Sequence, residues 1–143
     1  MDTRKEQIVS NLLWLLGTLT ICSCSRGVSI DRHIEADGDS IKVACTLVRI
    51  TPFEEDTSSF VHAEVTIANT SDRTIEINVR QLSLSIPDHK SDRPYYDGSV
   101  DILYKDEALP KGGSIKHRLY WAFKPPVSPE EIERAVLTIS PPF

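Results

Sequence analysis

The sequence predicts an all-β domain, an antiparallel sandwich of about seven strands, and three observations predict it. From residue 41 onward, apolar residues alternate with polar ones at a period of two, the spacing of half-buried strands. Turn-forming clusters punctuate those runs: "NTSDR" at 69–73, "PDHKSDRP" at 87–94 and "LPKGGS" at 109–114. One short segment, "SPEEIERA" at 128–135, carries helix-start chemistry, with Ser128 as cap, Pro129 in the first position and Glu130 and Glu131 at the positive end. Strands separated by such turns are the pattern of two packed antiparallel sheets.

The chain opens differently. Arg4 and Lys5 precede 14 uncharged residues, Ile8 to Ile21. That is short of the roughly 20 residues of a membrane-spanning helix and within the roughly 7–15 of a secretory signal. Leu12, Leu13, Trp14, Leu15 and Leu16 leave no polar face, which disfavours a core helix. A bridge between Cys22 and Cys24 would close a strained loop, and no second Cys/His cluster exists to complete a metal site. Ile21-Cys22-Ser23-Cys24 resembles the lipobox of bacterial lipoproteins: an aliphatic residue, a tolerant position, a small residue, then the lipidated cysteine. The other frame, ending at Cys22, puts bulky Ile21 where a small residue is wanted.

The resemblance implies a signal helix over 1–23, removed on export, and acyl chains on Cys24. It places the protein lipid-anchored on a cell membrane or outer membrane, facing periplasm or exterior. Each buried methylene contributes about 0.8 kcal/mol, and one chain alone is marginal, so two or three make a durable anchor. Ser25 after the lipidated residue permits sorting to an outer membrane. An uncleaved anchor is the alternative.

Residues 24–39, poor in hydrophobes and containing Gly27 and Gly38, read as a flexible tether of some 15 residues, able to reach about 50 Å at ~3.3–3.6 Å per residue. Glu35, Asp37 and Asp39 alternate there without the glycine and glutamate register of a calcium loop. The domain proper is then 40–143. Its expected strands are 41–50, 60–69, 74–80, 82–86, 100–104, 115–124 and 135–139. In 60–69, Val61, Ala63, Val65 and Ile67 point inward, and His62, Glu64 and Thr66 outward. Cys45 alternates with Val43 and Leu47 and reads as a small buried hydrophobe.

"VHAEVTIANTSDRTIEINVRQLSLSI" (61–86) resembles the core hairpin of immunoglobulin-like, telokin-like lipoprotein domains of unknown function. "LPKGGSIKHRLYWAFKPP" (109–126) resembles their turn and following strand. The resemblance implies an immunoglobulin-like sandwich and carries over no catalytic residue, since such sandwiches host many functions.

Charge narrows the partners. The 143 residues carry a net −5, and Asp2 and Glu6 cancel Arg4 and Lys5, so 24–143 carries all of it. A nucleic-acid partner would require a basic stripe, and the lysines and arginines are scattered. Four histidines, His33, His62, His89 and His117, form no helical ligand pair, so no metal or other cofactor is expected. His117 reads as a hydrogen-bonded, part-buried histidine, and His89 as part of a solvated turn. No G-x-S-x-G elbow or phosphate-binding glycine loop occurs, so no enzyme is expected. A pocket gathering His117 or His62 with two carboxylates would revive that reading. Asn69-Thr70-Ser71 reads as turn chemistry. Tyr95, Tyr96 and Tyr104 are candidate interface residues, because interfaces enrich tyrosine; alternatively, one of each neighbouring pair packs inward. The expected function is a non-enzymatic binding or assembly module touching an envelope protein or cell-wall polymer. The alternative is a structural accessory lipoprotein without a ligand.

Overall fold

The computed structural model describes residues 27–53, 57–97 and 104–141. The expected signal segment, Cys24 and most of the expected 100–104 strand lie outside them. The described residues are all-β with antiparallel pairing throughout: β1 (Val28–Asp37), β2 (Ile41–Phe53), β3 (Ser58–Asn69), β4 (Ile75–Ile77), β5 (Leu82–Ser85), β6 (Lys90–Ser91), β7 (Tyr95–Tyr96), β8 (Glu107–Leu109), β9 (Ser114–Lys124) and β10 (Val136–Ile139). The large sheet runs β1-β2-β3-β9, with β6 and β7 both pairing to the far side of β9. Two small sheets, β5–β10 and β4–β8, share one hydrophobic core with its inner face, giving a sandwich-like arrangement.

Alternation decides which face is which. Val43, Cys45 and Leu47 of β2, Val61, Val65 and Ile67 of β3, and Leu119, Trp121 and Phe123 of β9 are all buried. They meet Val79, Leu82, Leu84, Ile86, Ile132 and Leu137 from the opposite layer. Each fully buried aliphatic side chain contributes about 1.5–3 kcal/mol, so this shared core is the main source of stability. Burial pushes the Cys45 thiol up to about 12, and it stays an un-ionised hydrophobe rather than a nucleophile.

β1 corrects the expected tether. Its inward residues Ile30, Ile34 and Ala36 pack on the core, while Asp31, His33, Glu35 and Asp37 face water. With its outward half charged, the strand looked like a solvated linker. The 74–80 strand is also shortened. Asn78 accepts from the Arg80 N–H, and the Gln81 side chain accepts from the Asn78 N–H, so a capping box closes a one-turn 3-10 helix at Val79–Gln81. In the 128–135 segment, the helical turn is Glu131–Arg134, also 3-10, and Ser128 contributes its carbonyl rather than a side-chain cap. The turn before β9 needs glycine. Gly113 N–H donates to Pro110 O at 2.8 Å, and Gly112 takes φ 69°, a left-handed conformation that costs other residues more.

Asn69 ties the β3–β4 turn as the Asn-Thr-Ser pattern predicts. Buried at the end of β3, its Nδ2 donates to Arg73 O (2.7 Å) and Leu109 O (2.9 Å). Its Oδ1 accepts from Ser71 N (2.9 Å) and Ser71 Oγ (2.6 Å).

Candidate functional site

The outer face of the large sheet divides into two halves. Around the middle and the β1 C-terminal end it is charged, with Lys42, Glu64, Lys116 and Arg118 exposed. Toward the β1 N-terminal end it is aromatic. Phe53 stacks on Phe60 at 4.4 Å, Phe60 meets Tyr120 at 4.9 Å, and Tyr120 stacks on Tyr95 at 5.2 Å. Register builds this row across four strands: Phe60 opposes Thr51 and Ala122, His62 opposes Tyr120, and Tyr120 opposes Tyr95.

His62 sits where the halves meet. Its alternation is outward as expected, yet the residue is 9% exposed, because Tyr120 (5.6 Å) and Phe60 (6.4 Å, edge-on) close over it. Nε2 hydrogen-bonds Thr51 Oγ1 at 2.9 Å. Nδ1 stands 3.9 Å from Asp97 Oδ1 and has no hydrogen-bond partner among the described residues. Burial first, then the neighbouring Arg49, lowers its pKa against the opposing pull of Asp97.

A bulge shapes the space beside it. Leu47 opposes Ala63 and Arg49 opposes His62, so Val48 is the extra residue and tilts Arg49 onto the outer face. The result is a cleft of about 270 Å³ lined by Val48, Arg49, His62, Glu64, Asp97 and Arg118. Among the described residues, neither Arg49 nor Arg118 forms an ion pair within 4.0 Å. A second hollow on the charged half, about 460 Å³, is lined by His33, Thr46, Glu64, Lys116 and Arg118 among others.

The candidate tyrosines part company. Tyr95 belongs to the outer row, its hydroxyl donating to Asp92 Oδ2 at 3.3 Å, and burial with Asp92 raises its pKa. Tyr96 points the other way, edge-on to His117 at 5.4 Å and 6.4 Å from Tyr104. Tyr104 donates to Pro94 O at 2.5 Å and carries Arg80 5.7 Å above its ring. Only Tyr95 of the three therefore joins the outer face. Trp121, in line with Leu119 and Phe123, is fully buried.

His117 is part-buried as expected, with Nε2 2.7 Å from Glu107 Oε2. His89 corrects its reading as a solvated residue. Its side chain is 5% exposed, Nδ1 donates to Pro125 O at 2.6 Å and Nε2 pairs with Glu131, pinning the β5–β6 turn to the second 3-10 helix. Glu131, read from the sequence only as a helix-start acid, carries no sign there of its pairing with His89. Among the described residues, no three His, Cys, Asp or Glu side chains converge as a metal cage.

The pH response of His62 follows from its lowered pKa. Unfolded, the ring protonates as pH falls below its ordinary 6.5; folded, it resists. Its contribution is complete above that value and is lost as pH falls through the lower folded pKa. The urea midpoint of the wild type is expected to drop more steeply from pH 7 to pH 5 than that of His62→Gln. Parallel pH profiles would show that His62 is not the group responsible.

No known family, no curated protein and no solved structure matches the chain.

Proposed function

We propose that the chain is a lipid-anchored binding module of a bacterial cell envelope, an immunoglobulin-like sandwich carried on acylated Cys24. It holds a partner by contact, without chemistry of its own. One observation carries the reading: an open sheet face on which Arg49 and Arg118, free of ion pairs among the described residues, border a cleft beside a row of aromatic rings. Unpaired guanidinium forks suit carboxylates, which they hold by paired, charge-assisted hydrogen bonds. The partner is an envelope protein or cell-wall polymer presenting carboxylates.

The test is a pull-down from detergent-solubilised envelope with the full-length protein, Arg118→Glu, and Glu76→Lys at the exposed position of β4. Capture by the wild type and the β4 variant, with a loss of roughly tenfold for Arg118→Glu, supports the reading. Equal recovery by all three refutes it. In parallel, a fatty-acid analogue is expected to label the wild type and not Cys24→Ala.

A second reading, a hydrolase, has one observation in its favour. Thr51 Oγ1, His62 and Asp97 lie in the order of a nucleophile, base and orienting acid, with Glu64 the second carboxylate in the cleft. It is the weaker, because the 3.9 Å Nδ1–Oδ1 separation must first close. A fluorophosphonate probe that marks the wild type but not Thr51→Ala would support it, and no labelling would dismiss it.

A further inference from the structure

We propose that the aromatic end of the outer face beds into the headgroup layer of a zwitterionic phospholipid bilayer, a second membrane contact beside the acyl chains. The inference rests on the anchoring of Cys24 proposed above. What it adds is an orientation.

Chain length brings this end to the membrane. β1 begins at Val28, four residues after Cys24, and spans of that length reach at most about 14 Å at ~3.3–3.6 Å per residue. Because 28–37 is strand rather than tether, the domain cannot drift far from its anchor. Register then says which part is near. Val28 opposes Ile50, Ile50 opposes Val61, and Val61 opposes Trp121. Phe60 lies one residue beyond that level and Phe53 three beyond, while Tyr120 and Tyr95 lie one short of it. The whole aromatic row therefore sits at the anchored end. Exposure agrees: the described large hydrophobes that remain exposed are Val28 (48%), Phe53 (38%) and Val136 (55%), and two of these are at this end.

Ring geometry favours lipid over sugar. Phe53/Phe60 and Tyr95/Tyr120 lie face to face, at 28° and 18° between planes. Each stack takes up one face of both its rings, and Phe60 and Tyr120 also pack on each other, which reduces the open flat surface a pyranose ring stacks on. Ring edges and tyrosine hydroxyls are what an interfacial belt presents to headgroups. Charge selects the lipid. The chain carries a net −5, which disfavours an anionic surface. β1 climbs away from the bilayer for roughly 30 Å at about 3.3 Å per residue, lifting the charged half of the face toward partners.

The test uses full-length, acylated protein in phosphatidylcholine vesicles, with an environment-sensitive fluorophore on Phe53→Cys or, as the distal reference, Thr66→Cys. Buried Cys45 stays unlabelled. Headgroup-depth spin-labelled lipid is expected to quench residue 53 roughly threefold more than residue 66. Equal quenching in protein that floats with the vesicles overturns the docking and leaves the anchor standing. Protein without acyl label that fails to float overturns both. If residue 53 is unquenched in vesicles but shielded in native envelope, a protein partner covers the face and the proposal fails.

Discussion

Trp121→Ala is expected to remove about 3–5 kcal/mol of folding stability, read from urea unfolding followed by circular dichroism. Trp121 is the largest of the fully buried side chains, near the C-terminal end of β9 and paired with Val61 of β3. Truncation forfeits its transfer free energy and leaves a void beneath the two layers, because neighbours in a packed core relax only partly. Against a total of about 5–15 kcal/mol for an ordinary domain, that is enough to leave much of the protein unfolded near body temperature. Trp121→Phe separates volume from polarity. The indole Nε1 is buried with no hydrogen-bond partner among the described residues, so losing it relieves a donor left unsatisfied. The phenylalanine variant should therefore cost less than about 2 kcal/mol. If Trp121→Ala falls within about 1 kcal/mol of wild type, the core is not organised as described.

Asn69→Leu is expected to cost about 2–4 kcal/mol, since each orphaned buried polar group costs about 1–3 kcal/mol. The amide satisfies two carbonyls on one side, Arg73 and Leu109, and the Ser71 amide and hydroxyl on the other. Leucine matches its bulk and answers none of them. The bond to Leu109 O also joins the end of β3 to β8, so the loss is felt across the small β4–β8 sheet. Amide exchange at Ser71 is the local readout and should speed up more than the global change in stability requires. Asn69→Asp keeps the acceptors and loses both donations, so it should remain clearly destabilised. A wild-type midpoint for both variants would show that the turn is held by other means.

Much of this architecture was legible because strict alternation survives in the long strands. Ile41 to Leu47, Val61 to Ile67 and Ile115 to Phe123 each declare an inner face, and the structure buries most of those residues. β6, β7 and β8 were not legible, since two or three residues cannot display a period. β1 failed for another reason: its outward positions are charged and Arg32 occupies an inward-facing one, so the strand resembled solvated chain. The site was harder still. Alternation sends His62 outward, but its burial is produced by Tyr120, more than fifty positions later in the chain, and only the β3–β9 register brings the two together. The same holds for His89, whose partners Pro125 and Glu131 arrive from the far end of the domain.

The border strand β1 has a consequence for molecules crowded side by side. Its rim offers main-chain donors and acceptors on which another copy could pair. Two such rims meeting head to tail would set Asp31, Glu35 and Asp37 against one another, and like charges face to face repel. Neutralising those three carboxylates would leave a long unguarded border, and dense patches of the protein would then tend to knit into ribbons.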